Sequence, residues 1–312
     1  MSPTSVEFDW ANTQIQFRTN ATEIGLRFND GNNNYNVFVD GKLKTILTTK
    51  TGDQTYMVTL GQGNHDVLVT KRTGPNFGVG RFTGLSLPQG GAMLDLPALP
   101  SRKIEFIGDS YTVGYGNEGP ALDCGGNYRP YENSYASFAP ITARALNAQS
   151  HSIAISGFGA VRNYGDANTT SPMPMPFYYD RTLMSRADLK WKFNSWIPDA
   201  VVIKLGTNDF STEPSPPTSV YIQGIHNLIQ QVNDAYGQLP IFLMADNSLA
   251  KITANLQSAV QQQQSMGNSQ VRFVQVNHPP QSQLGCDWHP LVSGQQAMSD
   301  ELVAKIRPIL GW

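Results

Sequence analysis

Four short segments of this 312-residue chain carry the side chains that acyl transfer needs. Gly108-Asp109-Ser110 offers a hydroxyl, Ser156-Gly157 a loop NH, Gly206-Thr207-Asn208-Asp209 a carboxamide, and Cys286-Asp287-Trp288-His289-Pro290 an imidazole. A serine attacks a carbonyl only when a base takes its proton, and the resulting oxyanion needs two or three fixed donors. Each piece alone is weak. Gly-Asp-Ser is commonly a turn, Gly157 suits a tight bend, Asn208 suits a strand cap, and His289 before proline suits a plain loop. Their order, spacing and placement at the ends of strand-like segments give the set its weight. Thr112 stands where the second glycine of a Gly-x-Ser-x-Gly elbow would be, so the serine belongs to a different arrangement.

The elements that must position these groups change character along the chain. The first hundred residues alternate with period two, as in Ile24, Leu26 and Phe28, or Val67 and Val69. Turn signals such as Asn29-Asp30-Gly31, Asp40-Gly41 and Gly61-Gln62-Gly63-Asn64 separate the runs. That pattern predicts an all-β sandwich or jelly roll over 1–97. Leu96-Pro97-Ala98-Leu99-Pro100 makes a short, stiff connection. From 101 to 312, buried-type strands are expected at 103–108, 151–156, 200–206, 241–245 and 271–276. Helices are expected near 132–147, 185–195, 217–236, 249–266 and 293–310, the last opening with a capping-box spacing at Ser293 to Gln296. Alternating strands and helices imply a parallel sheet covered on both faces, with ligands at the carboxyl ends of its strands.

Composition narrows the classes further. A net charge of −2 without a block of like charges argues against nucleic-acid or membrane-surface binding. The longest apolar run, Ile241 to Ala245, is far short of the ~20 residues a bilayer requires. No secretory signal is visible, so any targeting segment is expected to have been removed or never to have existed. The other four histidines, His65, His151, His226 and His278, lack metal-ligand spacing, and no Walker or dinucleotide fingerprint occurs, so neither metal nor cofactor is expected. Cys124 and Cys286 allow two readings: two free thiols, or one disulfide worth about 5 kcal/mol as an upper figure in the chain-entropy model. Sequons at Asn20 and Asn168 are compatible with secretion, and together with the cysteines they lean towards an oxidising compartment.

Gly108-Asp109-Ser110, Gly157, Gly206-Thr207-Asn208-Asp209 and His289 resemble the four blocks of the SGNH, or GDSL, hydrolases. The resemblance implies a flavodoxin-like fold with a five-stranded parallel sheet over 101–312. It makes Ser110 the nucleophile and His289 the general base, with the NH of Ser110, the NH of Gly157 and the amide of Asn208 as the oxyanion hole. A jelly roll preceding such a domain resembles carbohydrate esterase family two. So do the segments Tyr35 to Gly41 and Gly63 to Thr73, and the run Gly285 to Pro290. That likeness implies removal of acetyl groups from xylan or glucomannan by a secreted monomer whose partner is an acetylated polysaccharide. One departure matters. Many SGNH enzymes carry the orienting aspartate three residues before the histidine, where this chain has Cys286. Asp287, two before, completes a triad if the loop bends; otherwise a backbone carbonyl orients the imidazole and leaves a Ser-His dyad. A bridge between Cys124 and Cys286 would pin that loop beside Ser110.

Trp288 beside the base is placed to stack on a sugar ring, with a core aromatic as the bland alternative. Tyr111 and Tyr115 either line the same cleft or cover it, and Asn163 and Tyr164 are candidates for its rim. Asp109 and Asp209 are expected to brace loop backbone. The rival functions are an SGNH lipase, thioesterase or feruloyl esterase of other acyl specificity, and a non-catalytic carbohydrate-binding protein.

Overall fold

A computed structural model describes residues 5–312 of the chain. The period-two region forms nine strands: β1 (Val6–Phe8), β2 (Gln14–Thr19), β3 (Glu23–Asn29), β4 (Asn34–Val39), β5 (Lys42–Thr48), β6 (Asp53–Thr59), β7 (His65–Lys71), β8 (Gly80–Ser86) and β9 (Met93–Leu94). They pair antiparallel as two sheets, β1-β8-β3-β6 and β5-β4-β7-β2-β9. Alternation turns one face of each sheet inward. Ile24, Leu26, Phe28 and Val58 thus meet Phe17, Tyr35, Val37, Val67 and Val69 across the sandwich, with Phe28 stacked on Tyr35 at 4.6 Å.

The second region begins with β10 (Arg102–Gly108), α1 (Ser110–Val113), α2 (Phe138–Ala145) and β11 (Ala148–Ala154). A hairpin of β12 (Arg181–Leu183) and β13 (Arg186–Lys190) follows, then β14 (Ala200–Lys204), α3 (Thr207–Phe210) and α4 (Thr218–Tyr236). The chain continues through β15 (Ile241–Asp246), α5 (Ala250–Ser265) and β16 (Val271–Val276). A two-residue pair, β17 (Leu284–Gly285) with β18 (His289–Pro290), precedes α6 (Val292–Leu310). The five long strands form one parallel sheet in the order β11-β10-β14-β15-β16. Successive residues alternate faces, so each side has its own core. Ile107, Val201, Ile203, Ile241 and Leu243 pack on α4 and α5, whereas Ile104, Phe106, Val202, Phe242 and Met244 pack on α2 and α6.

Two local expectations fail. Residues 185–195 hold a strand, not a helix, because Leu189, Trp191 and Phe193 are half-buried while Lys190, Lys192 and Asn194 are exposed. That spacing is two, which is a strand's period. The last helix has no side-chain cap from Ser293. It starts one residue earlier behind Leu291, and the Val292 NH donates to the carbonyl of Asn117 instead.

A polar joint fixes the sandwich to the α/β region. The buried Arg72 guanidinium donates to Asn36 Oδ1 at 2.6 Å and pairs with Glu118. Asn36 donates to Asn133 Oδ1, Ser134 Oγ to the Lys71 carbonyl at 2.7 Å, and the Gly74 NH to Glu132 at 2.5 Å. Apart from the Arg72–Asn36 bond, which braces the joint from within the sandwich, these bonds land on residues 118–134, the stretch that follows α1. The sandwich therefore braces a loop beside the catalytic-type serine.

Candidate active site

Ser110 follows β10 as the first residue of α1. Asp109 is the N-cap and accepts the Tyr111 NH at 3.1 Å, so the turn is held by a short side-chain bond as the sequence suggested. The NH of Ser110 lies in the first helical turn, where no intrahelical acceptor exists. β11 and β14 flank β10, with Gly108 level with Ala154 and Lys204. Parallel register therefore sets the loop bearing Gly157 and the one bearing Asn208 on either side of Ser110. The β10/β14 boundary is also where the strand order reverses, the usual ligand crevice of such sheets.

The flanking loops are tied together. Ile155 accepts the Phe158 NH across a turn whose Gly157 has φ +85°, a conformation glycine takes without Cβ strain. The Gly157 NH has no protein acceptor among the described residues. Asn208 Nδ2 donates to the Phe158 carbonyl at 2.8 Å, which fixes the carboxamide beside that turn. Asp209 accepts the NH groups of Ala160, Val161 and Arg162 at 2.8–2.9 Å. Burial pushes its carboxyl up to about 6 against the pull of those three donors. Arg162, fully buried, donates to the carbonyls of Asn168 and Thr212 and knits the same two loops. Asn163 likewise bonds within its loop rather than lining a rim, whereas Tyr164 is 62% exposed.

His289 comes from the other side. The Ser110 hydroxyl donates to its Nε2 at 2.8 Å, and Nδ1–H donates to the carbonyls of Asp287 at 3.0 Å and Cys286 at 3.2 Å. Carbonyls only accept, so they fix the proton on Nδ1 and leave the Nε2 lone pair facing the serine. The Asp287 carboxylate turns elsewhere and accepts the Tyr115 hydroxyl at 2.5 Å. Asp287 thus meets the imidazole through its main chain, the dyad alternative and not the triad. The reason is local backbone. Asp287 and Trp288 both have positive φ, +50° and +63°, and this left-handed turn points successive carbonyls at the ring. Two such residues without glycine are costly, at about 1–3 kcal/mol each, and persist only where surroundings hold them.

Those surroundings are aromatic and covalent. Tyr115 stacks on the imidazole at 4.3 Å, Tyr128 stacks on Tyr115 at 3.8 Å, and Phe77 of the sandwich region meets Tyr128 edge-on. Tyr111 abuts the imidazole edge-on at 5.5 Å. Cys286 is bridged to Cys124, with Cα atoms 5.2 Å apart, so the disulfide reading of the cysteines holds. Trp288 is 57% exposed, a free ring beside the base.

Lys204 is a site neighbour that the sequence reading passed over. It is buried, its Nζ lies 3.8 Å from the Tyr111 ring centroid and 3.4 Å from Asp246 Oδ2. Burial pushes the His289 imidazole down to about 4, with Lys204 adding to the fall and the two carbonyls opposing it. Burial pushes the Asp246 carboxyl up, but Lys204, His278 and Ser248 outweigh it and hold that group well below the usual carboxylate range. A lysine at the end of a buried strand reads as surface, and only the partner aspartate at the end of the next strand, β15, explains it.

Residues 1–97 match the family model described as carbohydrate esterase 2 N-terminal, and residues 106–298 match the GDSL-like lipase/acylhydrolase family. The chain is 31% identical to an acetylxylan esterase/glucomannan deacetylase of Cellvibrio japonicus, over 98% of this chain and 86% of that protein. The chain belongs to carbohydrate esterase family 2. Within that family it is also 34% identical to the cellulase/esterase CelE of Acetivibrio thermocellus, over 99% of this chain but only 38% of that longer protein. A family two carbohydrate esterase from Clostridium thermocellum, solved in complex with cellohexaose, superposes with a TM-score of 0.92 at 33% identity. That match covers 100% of this chain and 96% of that one.

Proposed function

We propose that this family 2 esterase hydrolyses O-acetyl esters on plant cell-wall polysaccharides such as xylan and glucomannan, through an acetyl-enzyme. Ser110 Oγ attacks the acetyl carbonyl carbon while His289 Nε2 takes the hydroxyl proton. The oxyanion is received by the NH groups of Ser110 and Gly157 and the carboxamide of Asn208. His289 then returns the proton to the departing sugar oxygen. Water, deprotonated by the same nitrogen, clears the acetyl group as acetate. The backbone-oriented imidazole 2.8 Å from Ser110 Oγ is the observation that carries this reading. Trp288 and Tyr164, both exposed beside these loops, offer flat faces on which a pyranose ring stacks. The cellohexaose seated on the Clostridium thermocellum relative supports a β-linked glycan as the partner. The reading places the protein outside the cell, as a monomer, where such polysaccharides are found.

Acetate release from acetylated xylan and from acetylated glucomannan tests it. The wild type is expected to release acetate from at least one of them. Ser110→Ala should lose about 10⁵-fold or more in kcat with its circular dichroism unchanged, since a triad- or dyad-type nucleophile is indispensable. Near-native turnover by Ser110→Ala would overturn the assignment.

A further inference from the structure

Resting on that reading, we propose that the Cys124–Cys286 disulfide is a positioning device for the general base, so that turnover depends on the bridge being oxidised. Cys286 is not merely near His289. Its own carbonyl is one of the two acceptors for Nδ1–H, so the bridged residue is itself a hydrogen-bond partner of the base. Between the two lie Asp287 and Trp288, both left-handed and neither glycine. Such backbone relaxes to an ordinary conformation unless its neighbours over-determine it.

The over-determining contacts come from one segment. The Asp287 NH donates to the Leu122 carbonyl at 2.7 Å, and the Val292 NH to that of Asn117 at 2.9 Å. Residues 114–124 therefore hold the base loop on both sides of His289, and the disulfide fastens the end of that segment to it. Space for the bridge is built in. A Cβ at Gly119 would come within 2.3 Å of Cys286 Sγ, and one at Gly116 within 2.3 Å of Cys286 Cβ. At its outer end, Cys124 sits in a turn whose neighbours Asp123, Gly125, Gly126 and Asn127 are exposed, so a small dithiol can reach it. Thiol–disulfide exchange with that dithiol moves two electrons to the bridge, leaves thiols at 124 and 286, and oxidises the dithiol to its own disulfide. The loosened loop then lets the Cys286 and Asp287 carbonyls turn off the ring. The imidazole keeps the stack on Tyr115 and the edge of Tyr111, but loses its enforced tautomer and aim.

The test compares the oxidised wild type, the wild type reduced with dithiothreitol while still folded, and Cys124→Ser, which leaves Cys286 in place. With 4-nitrophenyl acetate, kcat is expected to fall about 10- to 100-fold on reduction and in Cys124→Ser, with KM within about twofold. Reoxidation should restore the wild type and leave Cys124→Ser unchanged. A purely structural bridge would lower the melting temperature alone. The discriminating readout is therefore the imidazole itself: the two carbonyls favour its protonated form, so once they turn off Nδ1–H its NMR titration should move down from the value of about 4 in the oxidised protein. The groups facing the ring are Ser110, Tyr111, Tyr115, Asp287 and, more distantly, Lys204, and the bridge's opening removes none of them. Unchanged kcat and unchanged titration in reduced, folded protein would overturn the proposal, whatever the melting temperature. Should the oxidised wild type release no acetate, the esterase reading fails instead, and the titration still decides the positioning role.

Discussion

Two sides of the proposed active site are built by different means. Ser110, Gly157 and Asn208 hang from the ends of three adjacent parallel strands, and their loops are laced by Asp109, Asp209 and Arg162 through bonds to nearby backbone. His289 stands on a short loop outside the sheet, with left-handed residues before it. A disulfide across 162 residues, a stack of aromatics and a partner loop braced by the sandwich domain hold it there. The first side is positioned by register, which any well-packed sheet supplies. The second is positioned by long-range ties, which can be cut one at a time without dissolving the fold. The nucleophile and oxyanion side should therefore respond to mutation as chemistry, and the base side as geometry.

Asn208→Ala gives the largest expected effect in this comparison. It removes the donor proposed for the oxyanion and the bond to the Phe158 carbonyl, and kcat should fall about 10²- to 10³-fold with KM little changed. Acetyl-ester kinetics check this; a loss confined to KM would move Asn208 from the oxyanion to substrate binding. The pH dependence of kcat/KM is the next test. Burial lowers the folded-state affinity of His289 for a proton, so the base is neutral above about pH 4 and protonated below it. The acid limb should have its midpoint near 4, well under the 6.5 of an exposed imidazole. A midpoint at 6.5 or above would mean that a carboxylate, not carbonyls, faces Nδ1. The same sign makes acid destabilising, because the unfolded chain binds the proton more readily through that window.

The two sides also differed in how far the sequence revealed them. Gly108-Asp109-Ser110 and Gly206-Thr207-Asn208 were readable because each follows a run of buried-type residues, and strand ends in a parallel sheet share one edge. Asp209 was readable as a brace for the same reason. The base was readable as a residue type before proline, but its orientation was not. Whether Asp287 offers its carboxylate or its carbonyl depends on two φ angles that follow from contacts with residues 115–128, far away in sequence. Lys204 and Arg162 were missed because a buried cation declares itself only with its partners, Asp246 for one and a ring of carbonyls for the other. The strand at Arg186–Lys190 was missed through its charged residues, although the spacing of Leu189, Trp191 and Phe193 held the clue.

Asp287→Asn carries the smallest expected effect and tests the central claim most directly. The substitution keeps the main-chain carbonyl and a hydrogen-bonding side chain for Tyr115 while removing the negative charge. If main-chain carbonyls orient the base, kcat/KM for an acetyl ester should fall less than about tenfold at neutral pH. A loss of about 10⁴-fold, the scale seen where a buried aspartate fixes the tautomer of a catalytic histidine, would contradict the account and restore a Ser-His-Asp triad.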